Sequence, residues 1–128
     1  MAQDKKHILE LHDEIKNWKS AVELIKEETS TLNKQLEDIA SENNKEEVRA
    51  QIEHFQNQFI RQAEVNDILN HDLKQAEHRL AVLSAENPVA SDHRLVDDDP
   101  NIRDEAETHI KLFTELKSEF NRFATEWL

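Results

Sequence analysis

Along three separate stretches of the chain, residues of the same character return at alternating intervals of three and four, a rhythm that belongs to helices packing along a narrow seam. The first stretch runs Ile8, Leu11, Ile15, Trp18, Val22, Ile25, Thr29, Leu32, Leu36, Ile39. The second runs Val48, Ile52, Phe55, Phe59, Gln62, Asn66, Leu69, Leu73, Ala76, Leu80, Leu83, with two amides in the middle of the series. The third runs Ile102, Ala106, His109, Phe113, Leu116, Phe120, Phe123, Trp127. Glycine is absent and proline occurs only at Pro88 and Pro100. A chain without glycine is poorly equipped for tight sheet corners or for a phosphate-binding glycine loop, so helix is the structure left to it.

The polar residues between the runs place the ends. Asp4 is an expected N-cap of the first helix, and Ser41, Glu42, Asn43 and Asn44 end it. Asn44 with Glu47 has the spacing of a capping box opening the second helix. Asp99 before Pro100 starts the third, because aspartate caps free N–H groups and proline at the first helical position loses no hydrogen bond. The spacing therefore predicts helices over about 4–41, 45–85 and 100–127 in a single domain, 1–128, with a loop over 86–99. The fold class is all-α: a long antiparallel coiled-coil hairpin with a third helix packed on its open half as a three-helix bundle.

In this arrangement the first two helices, each roughly 50 Å long at 1.5 Å per residue, zip outward from a short turn. Ile39 meets Val48, Leu32 lies near Phe55, Ile25 near Gln62, Trp18 near Leu69 and Leu11 near Ala76. Leu9, Ala21 and Leu24 on the first helix, with Ile60, Ala63, Val65, Ile68 and Val82 on the second, widen the apolar stripe away from the turn. A wide stripe marks a bundle and a narrow one a two-stranded coil. The third helix is thus expected over the wide half, leaving the tip, roughly Thr29 to Phe59, as a protruding two-helix coil.

Composition removes several function classes. The formal net charge is −12, from 28 acidic and 16 basic residues, which opposes binding to nucleic acid or to an anionic membrane surface. No apolar run approaches the roughly 20 residues of a membrane helix, and the N-terminal MAQDKKHILE has no hydrophobic signal core. Cysteine is absent, so there is no disulfide framework and no thiolate chemistry. The expected compartment is the cytoplasm. No nucleophile elbow, glycine-rich loop or triad spacing is present, and the chain is not expected to be an enzyme.

The seven histidines, His7, His12, His54, His71, His78, His93 and His109, are the only inventory that hints at chemistry. Inward histidines and carboxylates on facing helices can hold a di-metal centre, but no Glu-x-x-His pair occurs here. The spacings favour solvated or singly hydrogen-bonded rings, with no residue assigned to a metal and no cofactor expected. A metal-binding bundle using inward His and Glu is the alternative. His109 occupies a seam position, and the expected register puts it opposite Ala76, level with His12 and one turn from Glu105. Burial there demands a hydrogen-bond partner. Gln62 and Asn66 read as a polar layer that fixes helix register.

Asp97, Asp98 and Asp99 lack the alternating spacing of an EF-hand loop and read as a solvated acidic segment. Between Glu86 and Glu107 eight acids and two arginines carry half of the net charge, a surface able to attract a basic partner. Phe55 and Phe59 with Ile60, then Phe120, Phe123 and Trp127, read as core packing and not as recognition residues, on the heptad positions of the aromatics.

The segments EHFQNQFIRQ, NHDLKQAEHRL and LKSEFNRFATEW resemble parts of small uncharacterised bacterial helical proteins. The resemblance spans the second and third helices and carries no catalytic motif; it implies a bacterial helical protein without an assigned activity. The function expected is non-enzymatic: association with another protein or self-association, as a dimer through the exposed tip or flanking apolar faces, with no nucleic-acid or membrane partner.

Overall fold

The computed structural model describes residues 5–86, 95–97 and 100–128. It is an all-α three-helix bundle: α1 spans Ile8–Glu42, α2 Glu46–Glu86 and α3 Pro100–Trp127. Two three-residue strands, β1 (Lys5–His7) and β2 (Leu95–Asp97), pair antiparallel with Lys6 opposite Val96. The first helix starts later than about residue 4, because residues 5–7 are taken by this strand pair. Asp4, Asp98, Asp99, Pro88 and His93 lie outside the described residues. Part of the expected 86–99 loop is therefore strand, and it fastens the approach to α3 against the approach to α1.

The α1–α2 turn needs no glycine, and no described residue has positive φ. Asn43 makes the stop: its backbone N and its side-chain Nδ2 both donate to Ile39 O, at 3.1 and 2.9 Å, and Nδ2 also reaches Trp127 O at 3.3 Å. Ser41 Oγ donates to Asp38 O at 2.9 Å. These bonds satisfy carbonyls that the helix end leaves free. The second helix opens one residue later than the capping-box spacing implies. Lys45 O accepts the first helical bond, from Arg49 N at 3.0 Å, so Lys45 and not Asn44 stands at the cap position.

The hairpin register agrees with the seam spacing. Ile39 and Val48 share one core cluster with Leu32 and Phe55, and Leu11 and Ala76 share the other with Leu69. Lys19 and Glu77 meet at 3.0 Å although they are not level. On antiparallel helices each side chain leans toward its own N-terminus, so the two converge near Ile15 and Leu73.

The third helix is where the structure departs from the expected arrangement. It does not stop short of the tip. Phe113, Leu116, Phe120, Phe123 and Ala124 are buried in one cluster with Ile39, Val48, Ile52, Phe55 and Phe59, and Asn43 touches the last turn of α3. No two-helix tip protrudes: the bundle is three-stranded to the turn. Two ion pairs give the parallel α1–α3 register, Glu14 with Arg103 at 2.8 Å and Glu28 with Lys117 at 3.0 Å, both 89 residues apart. Partly exposed ion pairs contribute at most about 1 kcal/mol each. The aromatic cluster fixes the position instead, with Phe120 edge-on to Phe55 at 5.2 Å and near Phe59 at 5.3 Å. Burying each such ring contributes about 1.5–3 kcal/mol.

The cause of the difference lies in the residues that widened the stripe. Leu9, Leu24, Ile60, Ile68 and Val82 are exposed, and so is Val65. They are not covered by α3. Large rings at the seam positions of the tip, with only Ala124 and Ile110 of α3 flanking them, build a three-helix core, so stripe width does not report where the third helix lies.

Candidate functional site: a groove over a buried polar layer

Between the two apolar clusters the seam changes character. The upper cluster ends at Ile25, Phe59 and Phe113; the lower begins at Val22, Leu69 and Ala106. Between them stand Gln62, Asn66 and His109, all buried. Asn66 Nδ2 donates to Val22 O at 3.0 Å. A carbonyl only accepts, which fixes the amide: Asn66 Oδ1 faces His109 Nε2 at 2.8 Å and must accept from it. His109 is thus the tautomer carrying its proton on Nε2. Its Nδ1 is a bare acceptor.

His109 is 2% exposed, and desolvation by burial pushes its pKa below the ordinary histidine value of 6.5. The ring is therefore neutral near neutral pH, consistent with a lone pair on Nδ1. His109 Nδ1 and Gln62 Oε1 both lack a hydrogen-bond partner among protein atoms although both are buried. Leaving such an acceptor unpaired costs about 1–3 kcal/mol. Asn66 and Gln62, one turn apart and alike in sequence terms, are thus in different situations: the first is satisfied and the second is not.

Gln62 and His109, the residues that carry these two acceptors, belong to the lining of a groove of about 540 Å³ between α2 and α3, within the roughly 300–1,000 Å³ usual for small-molecule sites. Its walls are Val65 and Ile68 from α2 and Leu112 from α3. Arg61 on α2 and Asp104, Glu105 and Thr108 on α3 complete the lining. Alternating heptad positions explain the layout. Seam residues 62, 69 and 109 form the floor, while 61, 65, 68, 105 and 112 flank the seam and form the walls and rim.

The expected register of His109 is corrected here. It does not lie opposite Ala76 or level with His12; it pairs with Asn66 at the level of Val22, ten residues and about 15 Å beyond His12. His12, His54, His71 and His78 are exposed. His54 contacts Glu119 at 3.3 Å and His71 contacts Gln75 at 3.1 Å. Among the described residues no group of three or more His, Cys, Asp or Glu is placed to hold a metal ion. Phe55, Phe59, Phe120 and Phe123 are core, as their heptad positions imply. Of the acidic segment, Asp97 falls in β2 while Asp98 and Asp99 are outside the described residues.

The pairing of Asn66 with His109 was the signal to find. Only one seam position on α3 is polar, and matching it to the polar positions on α2 sets the register that the apolar residues leave open.

The neutral ring makes stability depend on pH. The folded-state pKa lies below 6.5, so unfolding takes up a proton below that value. Stability is complete above it and is lost as pH falls toward the folded pKa. Thermal melts should show a falling melting temperature below pH 6.5, with a shallower slope in a variant carrying both Asn66→Leu and His109→Leu. Parallel slopes would place the ring in solvent.

No known protein family, curated protein or solved structure matches the chain. Among the described residues, no helix is long and apolar enough to cross a membrane.

Proposed function

We propose that the chain is a non-enzymatic, cytoplasmic association module that pairs with a second copy of itself through the α2–α3 groove face. One observation carries this reading: Val65, Ile68 and Leu112, exposed by 39%, 63% and 45%, surround a single groove. Scattered exposed aliphatics are ordinary, whereas aliphatics gathered about one concave surface are the usual mark of an interaction face. The rims carry opposite charge, Arg61 on α2 against Asp104 and Glu105 on α3. A surface bearing both signs is compatible with two-fold pairing, in which one patch meets its own copy.

The net charge of −12 repels copies from each other, so added salt should strengthen association by screening. Light scattering over a concentration series tests the reading, with dimer mass expected at high micromolar concentration and more of it at higher salt. A strictly monomeric species there overturns it. Ile68→Glu should weaken association at least tenfold, since confining an unpaired carboxylate costs more than about 1.4 kcal/mol. Because Ile68 is exposed in the single chain, the melting temperature of the dilute variant should stay unchanged.

A further inference from the structure

The floor of the groove carries two acceptors without partners. His109 Nδ1 holds a lone pair because Nε2 carries the proton to Asn66, and Gln62 Oε1 is likewise buried and unpartnered. His109 is 2% and Gln62 8% exposed, so both side chains belong to the core. They share one floor, since Gln62 lies one helical turn from Asn66 and Asn66 holds the His109 ring. Above them stand aliphatic walls, and two carboxylates, Asp104 and Glu105, are on the α3 side.

We propose that this groove binds a small organic ammonium ion, a protonated amine on an apolar body. The ammonium donates to His109 Nδ1 and Gln62 Oε1, and its charge is balanced by Asp104 and Glu105. The body lies between Val65, Ile68 and Leu112. An ammonium carries donors and no acceptor, which is the complement of this floor. An anion would meet two lone pairs and two carboxylates, against the single Arg61. A purely apolar ligand would leave both acceptors buried and unpaired. A metal ion would find too few ligands, since no group of three or more His, Cys, Asp or Glu is assembled among the described residues. The site goes beyond self-association: it shares the walls Val65, Ile68 and Leu112 with the pairing face and adds the acceptors of Gln62 and His109 beneath them.

The test is an NMR titration of the full chain with 2-phenylethylammonium, with 2-phenylethanol and benzoate as probes of the same shape class, at a protein concentration where scattering gives monomer. The ammonium should give saturable shifts centred on Gln62, Val65, Ile68 and Leu112, with a change in the Nδ1 resonance of His109. The alcohol should bind about tenfold more weakly and benzoate weaker still. Gln62→Leu removes one floor acceptor without opening a large cavity; it should raise the melting temperature and weaken ammonium binding about tenfold. Asp104→Asn with Glu105→Gln, both exposed positions, should weaken the ammonium several-fold and leave the alcohol unchanged.

No saturable shift up to about 10 mM ammonium, well beyond the millimolar range of weak specific binding, overturns the proposal. So does equal affinity for alcohol or benzoate, or a side-chain N–H of Gln62 found donating to His109 Nδ1 in the free protein. Ammonium binding by a chain that never dimerises would sink the association and keep the site. A dimer that ignores the ammonium would do the reverse.

Discussion

Asn66→Leu should destabilise the bundle by about 2–4 kcal/mol, although replacing a buried amide by an aliphatic residue often stabilises a helical seam. The reason is the ring behind it. Asn66 accepts from His109 Nε2 and donates to Val22 O, so the leucine removes both bonds and strands a buried N–H beside apolar carbon. The cost belongs to the pair rather than to the amide. His109→Leu alone should likewise leave Asn66 Oδ1 unpaired, while the double variant removes both polar partners and should recover most of the loss. Chemical denaturation of the four proteins closes the double-mutant cycle, and a coupling of at least about 1 kcal/mol is expected. Additive losses would mean that the two side chains do not touch.

Phe120→Ala should cost about 3–5 kcal/mol, as for other large-to-small changes at fully buried aromatics. Phe120 is 0% exposed and makes edge contacts with Phe55 and Phe59 on α2. The loss should be local in its signature. Hydrogen exchange should accelerate for amides near Ile39, Val48 and Ile52, which share its cluster, and less for those near Ile15 and Leu73 in the lower cluster. Unchanged exchange around the turn would mean that α3 ends short of it.

These two residues also show how far the fold could be read in the amino acids. Every seam residue of the three heptad runs that was expected inside is buried or half-buried, because a sustained three-four rhythm leaves no other face to bury. The hairpin pairing followed from the short turn. What the rhythm does not encode is the axial position of α3, since a heptad seam slid by a few turns still presents apolar residues to apolar residues. Large rings at Phe55, Phe59, Phe120 and Phe123 decide that position, together with the one polar residue of the α3 seam, His109. Leu24, Ile60 and Ile68 argued for the wrong placement because their apolar character was assigned to burial within one chain.

The candidate site was legible only in part. Gln62, Asn66 and His109 stood out as polar residues at seam positions. That His109 Nδ1 and Gln62 Oε1 lack partners depends on side-chain geometry, and that Nδ1 is an acceptor depends on the Asn66 amide being held by Val22 O. The groove itself arises from Val65, Ile68 and Leu112 flanking the same seam from two helices, and that juxtaposition exists only once the α2–α3 register is known.

In the proposed assembly the α2–α3 face is the surface by which the chain recognises a second copy. Intermolecular NOEs in a dimer mixed from isotopically labelled and unlabelled chains test this most directly. Contacts should run among the methyl groups of Val65, Ile68 and Leu112 on one chain and the same three residues on the other, and Ile68→Glu should abolish them. Intermolecular contacts confined to another surface, such as around Leu24 or Val82, would contradict it.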